Sequence, residues 1–234
     1  MQPIARDEFR KRGPWVTRFD IEGETLGGQY HAATDQRLKQ FFDRFPHPAR
    51  VLELGCLEGG HSVEIARAAD HVTAIDSRVD NIERARFIAS FFGRSNVDFI
   101  LADLERFPLT SLGTFDVIFN VGLLYHLPEP WRLVDELAKI GKSMFLWTHT
   151  ADPSATIVER EGFMGQVYKE GGTRDPLSGM SATSFWPTPD SLERMLALAG
   201  FKYIDIVDVD ATHPHGPAVT LVCHQNPPAR RSSL

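Results

Sequence analysis

The chain is short of the residues and segments from which several classes of protein are built. It holds only two cysteines, Cys56 and Cys223, among 234 residues. Two thiols cannot make a disulfide framework and fall short of any cysteine-based zinc site. No apolar stretch approaches the ~20 residues that cross a bilayer. The opening M-Q-P-I-A-R-D-E-F-R-K-R is charged and lacks the apolar centre of a secretion signal. Excess positive charge is missing too, since 25 basic residues face 31 acidic ones for a formal charge of -6. Such a balance gives no general pull towards a polyanion, although Arg6, Arg10, Lys11, Arg12 and Arg18 form a local basic cluster. No internal repeat is present. A soluble, cytoplasmic protein with no membrane partner is expected, as a monomer or homodimer.

What is present is alternation. With 42% apolar residues, the composition suits one domain, or one domain with an elaborated cap. Residues 1–28 show no clear period. Leu38, Phe41, Phe42 and Phe45 then recur at helical spacing within 31–45. Strands are expected at 51–54, 71–76, 97–103, 115–120 and 143–148. Helices are expected near 62–69, 81–92 and 130–140, the last with Pro130 in its first turn and Gly141 after it. The stretch 149–186 breaks the rhythm with Gly, Ser, Thr and charge, and a segment of that length is usually a lid or disordered. A helix from Pro189 to Gly200 follows, and then 201–209 and 216–224 read as an antiparallel strand pair. The pattern predicts an α/β fold with a mostly parallel sheet and helices on both faces. The expected organisation is a cap segment over 1–30 and one domain over 31–234, with 149–187 as a substrate-side insert or lid.

In an open parallel sheet, ligands sit beyond the carboxyl ends of the strands, beside the glycine turn after the first. Here that turn reads G-C-L-E-G-G, residues 55–60. Its glycines permit a close backbone approach to a ligand, or serve only a tight strand-to-helix turn. The next strands end in Asp76, in Ala102-Asp103-Leu104 and in Asn120-Val121-Gly122. Carboxylates at successive strand ends make a negative rim, which suits a cationic, hydroxyl-rich ligand and repels a pyrophosphate. The dinucleotide pattern G-x-G-x-x-G is not met, Glu58 stands where a phosphate would come close, and no G-K-[ST] is present.

This combination resembles the class I S-adenosylmethionine (SAM) dependent methyltransferases over roughly residues 30–224. The resemblance implies a Rossmann-like, seven-stranded sheet with an antiparallel last strand, and SAM as cofactor. It implies that the loop from Glu53 and Gly55 through Cys56, Leu57 and Gly59 wraps the methionine part. Asp76, with Ser77 beside it, would take the ribose hydroxyls. Asp103 would take the adenine amino group with Leu104 against the ring, and Asn120 would lie beside the methionine amino group. Glu53 is read as an organiser that accepts from loop N–H groups or a water. The plainer reading of Asp76 and Asp103 is that they are strand-end turn residues.

The segment V-G-L-L-Y-H-L-P, 121–128, resembles that of family members related to the wobble-uridine tRNA methyltransferases. The resemblance implies Tyr125 facing the reacting end of the cofactor. His126 is then either a base or a histidine whose hydrogen bond fixes the loop. Tyr30, Trp147, His149, Tyr168 and Trp186 are the candidate acceptor contacts, while Arg174 reads as a solvated loop residue. His213 and His215 read as a surface turn, so no metal is expected. No N-P-P-Y-like tetrapeptide follows the fourth strand, which argues against base-amine and glutamine methylation. The expected reaction is methyl transfer from SAM to a small-molecule acceptor, at oxygen rather than nitrogen or carbon. The alternatives are a wobble-uridine-type RNA methyltransferase, with nucleic acid less favoured as partner, and a SAM-binding partner subunit without catalysis.

Overall fold

The computed structural model describes residues 4–228. It divides into two compact units, residues up to Leu104 and from Glu105 onward. In the first, helix α1 (Ile4–Lys11) leads into a three-stranded sheet of β1 (Thr17–Ile21), β2 (Glu24–Gly27) and β3 (Tyr30–His31), in the order β2-β1-β3. This sheet occupies the segment that shows no period in the sequence. The helix expected over 31–45 is interrupted. A 3-10 turn at Ala32–Thr34 comes first, and Asp35 then caps α2 (Gln36–Arg44) by accepting the Arg37 N–H.

Parallel strands β4 (Arg50–Leu54), β5 (His71–Asp76) and β6 (Val97–Leu101) follow, joined by α3 (Gly60–Ile65) and α4 (Val79–Phe91). β4 is buried from Val51 to Leu54, as a strand covered on both faces must be. α3 stops four residues short of the expected end at 69. Asn96 Nδ2 donates to the carbonyls of both Ala66 and Ala69, which gives that last turn a partner outside any helix.

The second unit contains β7 (Val117–Val121), α5 (Pro130–Ile140) and β8 (Ser143–His149). In α5, Leu133, Val134, Leu137 and Ile140 are buried along one stripe, which fixes its packing face. The segment expected to be irregular is instead an antiparallel sheet in the order β11-β10-β9, made of β9 (Val158–Arg160), β10 (Phe163–Lys169) and β11 (Thr183–Pro187). α6 (Pro189–Ala199) is capped by Thr188 and closed by left-handed Gly200. β12 (Tyr203–Asp210) and β13 (Ala218–His224) complete a seven-stranded sheet in the order β12-β13-β8-β7-β4-β5-β6, with β13 antiparallel to both neighbours. β12 forms one edge, and its register shifts between Ile206 and Asp208.

The two glycines at the start of α3, Gly59 as its N-cap and Gly60 as its first residue, answer a packing demand. Gly59 has φ +77°, and a Cβ there would meet the Cβ of Ala85 at 2.9 Å. At Gly60 a Cβ would meet Thr17 and Ala32 at 2.8 and 2.9 Å. The Gly59→Ala variant should therefore lose ~1–3 kcal/mol of stability, from overpacking added to an unfavourable φ. Urea unfolding measures this, and an unchanged midpoint would show that the close approach is not real.

Candidate cofactor and acceptor sites

In the first unit, the loop after β4 is organised by buried carboxylates. Glu53 is 2% exposed and accepts from the Ser62 hydroxyl at 2.5 Å, so its partner is a side chain of α3 rather than a loop N–H. Burial lifts its carboxyl to about 8 against that bond, with nearby Asp76 adding to the rise. Glu58, fully buried, turns back to the N-terminal segment. It accepts from the N–H of Val16 and of Thr17, and Arg84 Nη1 lies 3.4 Å away. Glu58 is thus a tether for β1. Cys56 is buried, and burial pushes its thiol well above the usual range, with Glu53 and Asp76 adding to the effect. Such a thiol is no nucleophile.

Asp76 ends β5 and is also buried. Its Oδ2 accepts the Leu57 N–H at 2.9 Å, and its Oδ1 accepts the Arg78 N–H at 2.9 Å and the Asn81 amide at 3.0 Å. Burial pushes the carboxyl up, against these bonds. Leu57 sits at φ +49°, a costly backbone for a leucine, with its N–H on Asp76. An ionised carboxylate offers about four lone-pair sites, so Asp76 keeps acceptor capacity for a hydroxyl ligand. Ser77, Asp103 and Leu104 are half-buried beyond the ends of β5 and β6.

Tyr30 stands in a cluster with Asp35, Arg37 and His61 that gave no sign in the sequence. Its hydroxyl bonds both Asp35 and His61, His61 Nε2 lies 2.8 Å from Asp35, and Arg37 Nη2 lies 2.7 Å from the same oxygen. Burial would raise the Asp35 carboxyl, yet the bonds from His61 and Arg37 hold it well below the usual carboxylate range. Burial also lowers His61. Asp35 and His61 lie 26 residues apart, too far for any local pattern to pair them.

The second unit gathers Tyr125, His126, Trp147, His149, Tyr168 and Trp186. The Leu124–His126 turn after β7 is held by β11, because Trp186 Nε1 donates to the Tyr125 carbonyl at 2.8 Å and Phe185 N to the Leu127 carbonyl at 2.9 Å. Ring centroids lie 4.2 Å apart for Tyr125 and His126, and 4.5 Å for Tyr125 and His149. Trp147 lies 5.8 Å from Tyr125. Tyr168, Trp186 and His149 form a continuous stack with spacings of 4.4 and 4.7 Å. His149 Nδ1 bonds the carbonyls of Gly216 and Pro217, and burial is the main cause that holds its ring near about 4. His213, in the turn before β13, has its ring 5.0 Å from that of His149. Among the described residues, no three His, Cys, Asp or Glu side chains gather as metal ligands would. Asn120, fully buried, has no hydrogen-bond partner for either atom of its amide among the described residues. An orphaned buried amide fits a polar ligand group, as a nucleoside amino acid would supply.

A seven-stranded sheet with an antiparallel penultimate strand and a carboxylate-organised glycine turn defines a nucleoside-binding α/β domain. Residues 47–168 match the family described as "Methyltransferase domain", and the chain belongs to that family. It is a class I SAM-dependent methyltransferase domain with SAM as its cofactor. The chain is 33% identical over 129 residues to the ubiquinone biosynthesis O-methyltransferase of Xanthomonas axonopodis pv. citri (strain 306), covering 53% of this chain and 54% of that protein. It is 29% identical over 209 residues to the tRNA U34 carboxymethyltransferase of Methylococcus capsulatus (strain ATCC 33009 / NCIMB 11132 / Bath), covering 87% of this chain and 60% of that protein. It thus spans a little over half the length of these relatives. Among solved structures, it is similar to the N-terminal domain of EvdMO1 with SAH bound, at a TM-score of 0.85 and 29% identity, covering 95% and 96% of the two chains. In the longer EvdMO1 structure the match covers 46% of that chain. Among the described residues, no helix is long and apolar enough to cross a membrane.

The raised Glu53 carboxyl carries a sign that can be tested. The folded state keeps its proton up to about pH 8, whereas the unfolded chain releases it near the ordinary value of 4.5. Glu53 therefore costs stability increasingly as pH rises from 4.5 to 8, and no further above that. Glu53→Gln should gain on the wild type across this window in urea unfolding. A difference that stays flat from pH 4.5 to 8 would show that Glu53 is ionised in the fold.

Proposed function

We propose that the protein is a SAM-dependent O-methyltransferase acting on a hydroxyl of a small molecule. The observation that carries this reading is the aromatic stack of Tyr168, Trp186 and His149 beside Tyr125 and His126. Flat aromatic faces suit a sugar or ring acceptor, while the adjacent imidazole suits its proton. When bound, SAM supplies an electrophilic methyl group on a sulfonium. Asp76 is assigned to the ribose hydroxyls, with Ser77 beside it, and Asp103 and Leu104 to the adenine. Asn120 offers its amide to the methionine amino group. The residues from Gly55 to Gly59 supply backbone to the methionine part, with Glu53 behind them. Tyr125, Trp147, His149, Tyr168 and Trp186 hold the acceptor. Tyr30, with its hydroxyl engaged by Asp35 and His61, ties down the described part of the N-terminal segment, residues 4–30, and the 149–187 insert builds the acceptor wall. A relative named as an O-methyltransferase and a structure of the EvdMO1 domain in the presence of SAH and D-fucose support a hydroxyl acceptor.

The RNA reading is favoured by the tRNA U34 carboxymethyltransferase relative, which aligns with most of this chain. The basic N-terminal cluster weakens it, because much of that charge is matched internally. Arg6 pairs with Glu22 and Glu24, Arg10 with Asp7 and Glu24, and Lys11 and Arg12 with Glu8. Phosphate contact would have to break these pairs.

Radiolabelled SAM incubated with cell extract, later split into RNA, protein and small-molecule fractions, tests the reading. Label is expected in the small-molecule fraction as a base-stable ether, and label in RNA would replace it with the second reading. Asp76→Asn should weaken SAH binding by ~1–3 kcal/mol in isothermal titration, through loss of a charged acceptor. Undiminished affinity would reduce Asp76 to a turn residue.

A further inference from the structure

His126 is bonded to a carboxylate that no sequence pattern pointed to. Its Nδ1 lies 3.1 Å from Glu170 Oε2 and 3.3 Å from Oε1. The Glu170 side chain is 1% exposed, and the His126 side chain is 16% exposed. Glu170 is fixed from other directions as well. Its Oε2 accepts from the Ser178 hydroxyl and from the Gly179 N–H, both at 2.7 Å. The close approach depends on residue 179 being glycine. A Cβ there would stand 2.5 Å from the His126 carbonyl oxygen, 3.2 Å from Glu170 Cδ and 3.3 Å from His126 Cβ.

Burial alone would raise the Glu170 carboxyl, but the bonds from His126, Gly179 and Ser178 hold it down at about 2. An ionised carboxylate can only accept, so the proton of this contact belongs to His126 Nδ1. The other ring nitrogen, Nε2, then carries a lone pair when the ring is neutral. No described residue makes a hydrogen bond to it. We propose that Glu170 is a positioning residue: it fixes His126 as the Nδ1–H tautomer and so presents Nε2 as the proton acceptor for a hydroxyl nucleophile.

The assignment rests on the O-methyltransferase reading and deepens it. The acceptor oxygen gives its proton to His126 Nε2 and takes the methyl group. The methyl's former bond to sulfur leaves its electron pair on sulfur, so a hydroxyl and a sulfonium become an ether, a thioether and an imidazolium. Glu170 keeps the Nδ1–H of that ring bonded throughout the step. His149 is a poorer choice for the proton, since burial keeps its ring basicity near about 4. It serves the stack instead.

Long-range 1H–15N correlation spectra of the full chain, with 15N-histidine label, read the tautomers directly without acceptor or cofactor. The pH is set high enough to keep the rings neutral, and His126→Gln assigns the His126 signal among nine histidines. His126 should be Nδ1–H by roughly tenfold or more, opposite to free histidine, as expected of a charge-assisted bond. Glu170→Leu should reverse this to Nε2–H. His149 should stay Nδ1–H in the same sample, because the carbonyls of Gly216 and Pro217 hold it, and so reports that the fold has survived. A wild-type His126 in the Nε2–H form overturns the proposal. So does an Nδ1–H form that persists in Glu170→Leu. Should that variant unfold and lose the His149 signal, the wild-type spectrum alone decides. Failure of the methyl-label assay with the tautomer as expected would retire the reaction while leaving the Glu170–His126 pairing intact.

Discussion

Among the described residues, the acids Glu53, Glu58, Asp76 and Glu170 are nearly out of water, and a buried ionised carboxylate without partners costs several kcal/mol. The chain meets that constraint in two ways. Glu58 and Glu170 fill their oxygens with donors. Glu53, with the Ser62 hydroxyl on its Oε2, keeps its proton instead. Asp76 lies between these cases, with three protein donors and a carboxyl pushed up by burial. Three of these acids tie together segments that lie far apart in sequence. Glu58 ties β1 to the glycine turn, Asp76 holds Leu57 in its unusual backbone, and Glu170 joins the insert to the turn after β7.

The fold was largely legible because it repeats. Strands buried on both faces read as apolar runs, and helices between them carry apolar stripes with proline and glycine at their ends. β5 and α5 fall where the pattern puts them, at His71–Asp76 and Pro130–Ile140. The segments of lowest regularity hid real structure. β10 mixes the buried Phe163 with Gly165 and the exposed Met164, Val167 and Tyr168, so no clean alternation shows. Its strand character comes from pairing with β9 and β11, which is tertiary. β1 does alternate, but over only five residues, too few to stand out in a charged segment.

The same division applies to the sites. The acids at strand ends sit at positions the topology dictates, so Asp76 and Asp103 stand out as candidates by place alone. Tyr125, Trp147, His149, Tyr168 and Trp186 were visible as residue types, yet the stack they share depends on how the insert folds. Glu170 and Asp35 were invisible because a carboxylate that positions a histidine needs only to be near it in space. His126 and Glu170 lie 44 positions apart, and the stretch between them carries no periodic trace of their meeting. Glycine shows the converse. G-G at 59 and 60 draws the eye as a ligand loop, while its closest neighbours are Ala85, Thr17 and Ala32.

The sheet ends at β12 with Ile206 and Val209 64% and 62% exposed, an apolar margin of the kind that recruits foreign strands. Asp205, Asp208 and Asp210 are set among them, and the ladder slips between Ile206 and Asp208. A second chain approaching that margin meets like charge and a broken register before it finds a row of amides to copy. The acidity that first looked like an indifferent net charge thus also works as insulation, keeping the open side of the sheet from being extended by its own neighbours.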